Sequence, residues 1–228
     1  MELSSTIHNN EDLVKDRRDK VRKDIILLAS KLFIEKGYDR TSLRELAKAF
    51  GLSKGGLYHY IGSKEDILHM ILEFTASGEN KFLDEMAEQA LSLSPTEAIR
   101  YSIERSIKFM DEYQDMYVFI SHVSVNLSRS ERQDLFKAFS GVAEYWENLL
   151  IRGVETGDFI VEDPKSIAFF IIHLNTAWAH RRWYLRKLYT LEQYTQLVTD
   201  LVLSKIRTET DKVTVNVKDK RGTQLQTY

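Results

Sequence analysis

Residues 41–68 read TSLRELAKAFGLSKGGLYHYIGSKEDIL, and their spacing sets the architecture of the amino-terminal part. Leu43, Leu46, Ala47 and Phe50 fall at i, i+3, i+4 and i+7, one apolar stripe over barely two helical turns. Ser42 and Glu45, three apart, form a capping-box pattern at the start of that stripe. Gly51-Leu52 breaks it, Ser53 is placed to cap a second short helix through Tyr60, and Gly62-Ser63 breaks again. Ser63 then opens a longer helix with Glu65 and Asp66 in its first turn, and Ile67, Leu68, Ile71 and Leu72 carry its core face. Upstream, Ile25, Leu28, Ala29, Leu32 and Phe33 repeat the helical spacing between Lys15 and Lys36, and Gly37 supplies a left-handed stop. A longer packed helix, a short helix, a turn with glycine and another short helix make a helix-turn-helix arrangement, although an ordinary helical hairpin shares that outline. The second short helix separates the two readings. Gly55 and Gly56 in its first turn cost roughly 1 kcal/mol each relative to Ala. A purely structural helix gains nothing from them, whereas a helix whose start approaches a phosphate backbone or groove floor does.

Composition agrees. The chain has 228 residues, two Pro, ten Gly and no Cys, and 43% of it is hydrophobic, enough to bury a real core. Few breakers among many helix formers predict a mostly helical protein. The absence of Cys excludes a disulfide scaffold, a Cys-ligated zinc module and a thiol nucleophile, and fits a reducing cytoplasm. The longest apolar run, Ile167 to Ile172, falls far short of a membrane span, and the polar, acidic start (MELSSTIHNNEDL) carries no signal-peptide pattern. The net charge of −2 conceals an asymmetry: residues 15–64 hold 13 Lys and Arg against 6 Asp and Glu, a local +7, and residues 65–228 sum to −6. A basic small part on an acidic large part is the footprint of a polyanion-binding module on a body with another task, although Lys-rich helical surfaces give a similar balance.

The stretch from Phe33 to Glu65 resembles the DNA-binding domain of the TetR (tetracycline-repressor-like) family. The matching positions are Phe33, Lys36, Gly37, Tyr38, Thr41 and Ser42, then Gly51, Leu52, Ser53, Gly55, Leu57, Tyr58, Lys64 and Glu65. The sequence departs at Ile61, where the family usually has Phe; Ile is expected to fill the same apolar niche. The resemblance implies that residues 42–50 brace the DNA backbone and residues 53–60 lie in the major groove. Thr41, Ser42, Tyr58 and Lys64 are then expected to contact phosphates, with Ser53 capping the reading helix. A guanidinium can grip guanine bidentately, which makes Arg44 the expected base reader; the bland reading is a phosphate or surface Arg. Lys54, Gly55 and His59 are next to face bases. Tyr58 has a second reading as a core aromatic. Lys15, Arg17, Arg18, Lys20, Arg22 and Lys23 either extend the phosphate contacts or form a solvated face.

Beyond this head, the periodicity predicts helices over 63–91, 95–112, 113–127, 129–156, 163–187 and 191–208, with Pro95 and Pro164 at first helical positions. The fold expected is all-α: a flexible arm (1–14), a three-helix helix-turn-helix head (15–62), a helical ligand-binding and dimerisation domain (63–208) and a flexible tail (209–228). The segment 163–187 is apolar on two faces, more than one domain interior needs, and residues 191–208 add a stripe of Tyr194, Leu197, Val198, Leu201 and Val202. By position, these match the two helices that pair with their twins in TetR dimers. Aromatics mixed with a few polar groups suit an apolar ligand chamber, with Tyr117, His122, Asn126, His173, Asn175 and Trp178 as candidates; each has an alternative reading as a satisfied core residue. Arg181, Arg182, Arg186 and Lys187 either neutralise an anionic ligand or coat a helix end.

The expected function is a homodimeric repressor that holds a palindromic double-stranded DNA operator and releases it for a small hydrophobic effector. Residues 57–64 and the run from Trp178 to Tyr184 look similar to a TetR branch that responds to CoA thioesters; a neutral or cationic hydrophobic drug is the other candidate effector. The alternative is a helical adaptor without specific DNA binding. No catalytic signature, cofactor fingerprint or metal-ligand spacing is found, so neither an enzyme, a cofactor, a metal nor a membrane partner is expected.

Overall fold

The computed structural model describes residues 20–58 and 60–206, and for Lys54 and residues 76–80 the backbone only. The expected arm and tail, with Lys15, Arg17, Arg18 and His59, lie outside the described residues. Helices and their connections make up the rest, with no β-strand among the described residues. In chain order they are α1 (20–36), α2 (Leu43–Ala49), α3 (Lys54–Tyr58), α4 (Lys64–Leu91), α5 (Pro95–Glu112) and α6 (Gln114–Val123), which a 3-10 turn (Ser124–Asn126) extends. They continue with α7 (Arg129–Glu155), α8 (Pro164–His180), α9 (Arg182–Leu188) and α10 (Leu191–Ile206).

Side-chain caps fix where the helices begin. Ser42, Ser63, Ser94 and Ser128 each accept from the backbone N–H three residues on, and Glu45, Asp66, Glu97 and Glu131 reach back to the cap N–H. Asp163 caps α8 with Pro164 behind it. These carboxylates are held below their ordinary range; Glu45 falls to about 2, chiefly through its hydrogen bond from Lys36, and the others through their capping bonds. Because the folded pKa values are depressed, this contribution to stability is complete above the ordinary carboxylate pKa and is lost as pH falls through the folded values. Gly37 and Gly51, with φ of +91° and +66°, turn the chain out of α1 and α2.

Two apolar cores result. In the head, Ile26, Ala29 and Phe33 of α1 meet Leu46 and Ala47 of α2, Leu57 of α3, and Ile61, which fills the niche expected for it. That core does not stop at residue 62. Ile67 and Ile71 of α4 and Met116, Phe119 and Ile120 of α6 complete it. The second core lies in the body, where Trp146 and Leu150 of α7 pack among Ile99, Ile103 and Ile107 of α5, Ile171 and Trp178 of α8, and Val198 and Val202 of α10. Arg152 closes the α4–α5 corner by donating to the carbonyls of Ala90 (3.0 Å) and Leu93 (2.7 Å).

The helix expected over 163–187 is broken at Arg181, whose φ and ψ of −119° and 22° leave the helical region, so α8 and α9 are separate. Beyond the break, Arg182 and Arg186 pair with Asp115 and Asp111, a long-range contact that no periodicity records. Tyr113 likewise separates α5 from α6, and the span expected over 113–127 ends in the 3-10 turn.

One close approach locks the body. A Cβ at Gly153 of α7 would stand 1.9 Å from Cδ2 of Phe159, a ring buried in the body core. Gly153→Ala is therefore expected to destabilise by about 1–3 kcal/mol through overpacking. Thermal unfolding should show a drop of about 2–4 °C per kcal/mol in a chain of this size.

Candidate nucleic-acid interface and enclosed chamber

The head presents its functional side chains from the outer faces of α2 and α3, because Leu46, Ala47 and Leu57 commit the inner faces to the core. Arg44, Ser53, Gly55 and Tyr58 are exposed together there, Tyr58 at 46%. Ser53 caps α3 by accepting from the Gly56 N–H at 3.0 Å. A Cβ at Gly55 would meet nothing within 4 Å, so the protein's own packing does not require glycine at that position. Ser42 is exposed beside them as the cap of α2. Lys54 occupies the first position of α3.

Two sequence expectations need correction. Thr41 is only 1% exposed, and its hydroxyl donates to the Gly37 carbonyl at 2.8 Å; it closes the end of α1 and cannot face a phosphate. The Lys64 ammonium donates to the carbonyls of Tyr38 (2.9 Å) and Asp39 (3.3 Å) and sits 4.8 Å from the centre of the Tyr38 ring. These bonds fasten the start of α4 to the turn after α1 and occupy two of the three ammonium donors of a half-buried side chain, so Lys64 takes on an added anchoring role. Burial pushes the Tyr38 hydroxyl up to about 12, with Glu65 and Asp39 adding to it.

The body contains a small apolar chamber, a cavity of about 40 Å³ at the bottom of a recess that opens to solvent. Phe82 and Leu83 of α4, Phe109 and Met110 of α5, Tyr117 of α6, Trp146 of α7 and Ile172 of α8 form its walls. Its chief polar feature is Asn175 of α8. That residue is 3% exposed, and neither its amide nitrogen nor its carbonyl oxygen has a hydrogen-bond partner within the chain. An unpaired buried amide beside an apolar cavity is what a site for a largely apolar ligand with one polar group requires.

Of the expected ligand residues, the structure brings Tyr117 and Asn175 together at this chamber and separates the others. Trp178 is buried, but its indole donates to Asp111 at 2.7 Å and its ring packs on Tyr194. His122, Asn126 and His173 are exposed, and His173 Nδ1 lies 2.8 Å from the Phe169 carbonyl. Helical spacing placed them on apolar stretches, but on those helices Phe119, Ile120, Ile171 and Ile172 take the buried face and these three side chains the exposed one. Arg181 is exposed on the surface. Arg182 and Arg186 are neutralised by Asp115 and Asp111, so the expected cationic cluster is an ion-pair network rather than a free anion site. Phe82 and Phe109 were legible only indirectly: Ser102 and Ser106 stand on the buried stripe of α5, where small side chains leave space instead of filling it.

A further face of α8, α9 and α10 is apolar and open. Phe169, Phe170, Trp183 (68% exposed), Tyr184, Leu197 and Leu201 (54% exposed) lie on it. Single exposed apolar residues are ordinary, but these six large ones stand on three consecutive helices.

Comparison with known proteins covers both parts. Residues 25–71 match the profile described as bacterial regulatory proteins, tetR family, and residues 92–206 match a tetracyclin repressor-like carboxy-terminal domain. The HTH-type transcriptional repressor KstR2 of Rhodococcus jostii (strain RHA1) is 31% identical over 176 residues, covering 72% of this chain and 79% of that protein. The crystal structure of PfmR, a TetR family transcriptional regulator from Thermus thermophilus, superposes with a TM-score of 0.66 at 32% identity, over 79% of this chain and 97% of that one. AibR, solved in complex with isovaleryl coenzyme A and operator DNA, has a TM-score of 0.60 at 23% identity, over 81% and 98% of the two chains, and shows the shared fold.

Asn175→Leu should relieve the unpaired amide and raise the unfolding free energy by about 1–3 kcal/mol. Denaturant or thermal unfolding measures this, and a destabilised variant would mean that the amide is satisfied.

Proposed function

The chain belongs to the tetR family of bacterial regulatory proteins, and from that premise we propose that it is a homodimeric repressor that a hydrophobic acyl thioester releases from a palindromic operator. One observation carries the proposal. The core beneath the DNA-reading helices and the apolar chamber share two helices, α4 and α6. Helix α4 starts under the head at Lys64 and carries Phe82 and Leu83 to the chamber. Helix α6 turns Tyr117 to the chamber and Met116, Phe119 and Ile120 to the head core.

At the DNA, α3 enters the major groove. Arg44 reads a base edge, while Ser42, Ser53 and Tyr58 hold phosphates, and Gly55 lets the α3 backbone approach closely. Lys54 and His59 belong to the same reading segment. The adaptor alternative leaves Gly55 and the exposed Arg44 unexplained. The relatives above are transcriptional regulators rather than enzymes, and a repressor of that kind works on the chromosome, in the cytoplasm.

Two heads bind one operator when their reading helices are about 34–36 Å apart, one turn of B-DNA. The open apolar face of α8–α10 supplies the dimer contact that sets this spacing. A ligand entering the chamber presses on α4 and α6 and shifts both heads. A 100-fold loss of operator affinity requires about 2.7 kcal/mol of coupling. That is the scale of one well-buried apolar side chain, such as Phe119, partly leaving its niche. The acyl reading draws support from the chamber, which is mostly hydrocarbon with one amide for a thioester carbonyl, and from AibR, which was solved with an acyl coenzyme A.

Arg44→Ala should relax preference at one symmetric base pair by about 1–3 kcal/mol. Tyr58→Phe should weaken all sequences alike. Fluorescence anisotropy against a set of single-base operator variants separates the two, and uniform weakening by Arg44→Ala would make it a phosphate contact. Leu201→Glu, which sets a charge in the open apolar face, should yield monomers by light scattering and abolish operator binding together. A dimeric Leu201→Glu protein would move the interface elsewhere.

A further inference from the structure

A second cleft of about 400 Å³ adjoins the apolar chamber, and Phe82 and Phe109 line both. Those two rings stack at 4.3 Å between centroids, so the chamber and the cleft are two sides of one aromatic wall. The cleft differs in kind from the chamber. Lys23 of α1, Lys81 of α4, and Arg105 and Lys108 of α5 line it, against Glu85 and Glu112; Lys23, Lys81 and Lys108 are each in an exposed ion pair, with Glu112, Glu85 and, just outside the lining, Glu104. The cations come from three helices and converge on one opening. Arg105, Lys108 and Glu112 are spaced to share one side of α5, with Phe109 between them at the wall. The Arg105 guanidinium lies 5.6 Å from the centre of the Phe82 ring. Phe74 and Tyr113 add aromatic surface to the cleft.

We infer that this cleft is the subsite for the phosphate-bearing end of a nucleotide-linked acyl thioester whose acyl end occupies the chamber. Arg105, Lys108 and Lys81 are its phosphate cations, and Lys23 carries the contact into the DNA head. The inference rests on the acyl-thioester reading above and replaces Arg181 and Arg182 as the anion-binding residues. Those arginines lie at the α8–α9 break, where Arg182 is already paired with Asp115. A single carboxylate cannot span cations on three helices, whereas a chain of phosphates can bridge them, and the aromatic surface suits a stacked base. The geometry also gives the ligand a direct hold on the head. Lys23 bonds Glu112, an ion pair between α1 and the end of α5. A polyphosphate entering the cleft competes with Glu112 for that ammonium, and so loosens one of the fastenings between head and body as it binds.

The experiment follows operator release from the full-length dimer by fluorescence anisotropy. The probes are octanoyl-CoA and palmitoyl-CoA, each beside the matching pantetheine thioester, which keeps the acyl group and carbonyl but lacks every phosphate. With the wild type, the CoA forms should release DNA at concentrations at least tenfold lower than the pantetheine forms. Arg105→Glu combined with Lys108→Glu should raise the half-effective concentration of the CoA forms at least tenfold, about 1.4 kcal/mol, and leave the pantetheine forms unchanged. The unchanged pantetheine response also certifies that the variant is folded, and Arg105→Gln with Lys108→Gln provides a milder pair if it is not. If the charge reversals leave the CoA response intact, or weaken both ligand classes equally, the cleft is not the phosphate subsite while the acyl-thioester reading stands. Equal potency of CoA and pantetheine forms on the wild type has the same meaning. If no thioester of either class releases the wild type, the acyl-thioester reading falls, and this subsite with it.

Discussion

Helix α6 has two faces, and both are occupied. Met116, Phe119 and Ile120 are buried in the core of the head, where Phe119 packs 5.0 Å from Phe33 and 5.9 Å from Tyr38 between ring centroids. Tyr117, on the same ten-residue helix, lines the chamber. The head consequently has no core of its own to close. Each buried side chain of this size contributes about 1.5–3 kcal/mol. The ion pairs that also tie α1 to the body, Arg22–Glu73 and Lys23–Glu112, are exposed and contribute about 0–1 kcal/mol each. Apolar contact therefore holds the head in place, and the ion pairs tune its orientation. A chamber that moves α6 cannot leave the head undisturbed, because close-packed side chains shift as discrete alternatives instead of stretching.

The chamber itself is a local departure from good packing. Elsewhere in the body, large side chains such as Ile103 and Leu150 are completely covered. At the chamber, Ser106 stands where a bulkier residue would fill space, and Asn175 holds an unpaired amide beside it. The Ser102 and Tyr145 hydroxyls satisfy one another at 2.6 Å, so polarity in this region is not always left open. A buried amide without partners is destabilising by about 1–3 kcal/mol. Proteins tolerate such groups where function uses them, and stability traded for a binding site is the ordinary form of that compromise.

Charge is arranged by the same logic. The acidic residues at the junction of α5 and α6 divide the surface cations into two kinds. Asp111 and Asp115 engage Arg186 and Arg182 and bind α9 back onto the body after the chain breaks at Arg181. On the other side of α5, four cations stand around an open cleft against Glu85, Glu112 and the neighbouring Glu104, in ion pairs that are all solvent-exposed. Burial, then the neighbouring Arg181 and then His122, lower the pKa of His180, which leaves that end of α8 without an added proton near neutrality. The basic excess of residues 15–64 thus stays largely with the head, and cations of the acidic body gather at the α9 clasp and at the cleft beside the chamber.

The local grammar of this protein was readable from the chain alone. Caps at Ser42, Ser63, Ser94 and Ser128, stops at Gly37 and Gly51, and the stripe through Leu46 and Ala47 are short-range features, each settled by residues within one or two turns. The helix pair, its outward-facing Arg44 and Tyr58, and the all-helical body were legible for that reason. The partners of side chains from distant segments were not. Thr41 and Lys64 carry groups that suit a phosphate, but folding supplies carbonyl oxygens that take those groups first. His122, Asn126 and His173 sit on apolar stretches whose direction depends on how whole helices pack. Arg182 and Arg186 find Asp115 and Asp111 across 67 and 75 residues of chain. Helical periodicity fixes which residues share a face. Whether that face meets another helix, a cavity or water is chosen in folding, by contacts between segments that no local spacing encodes.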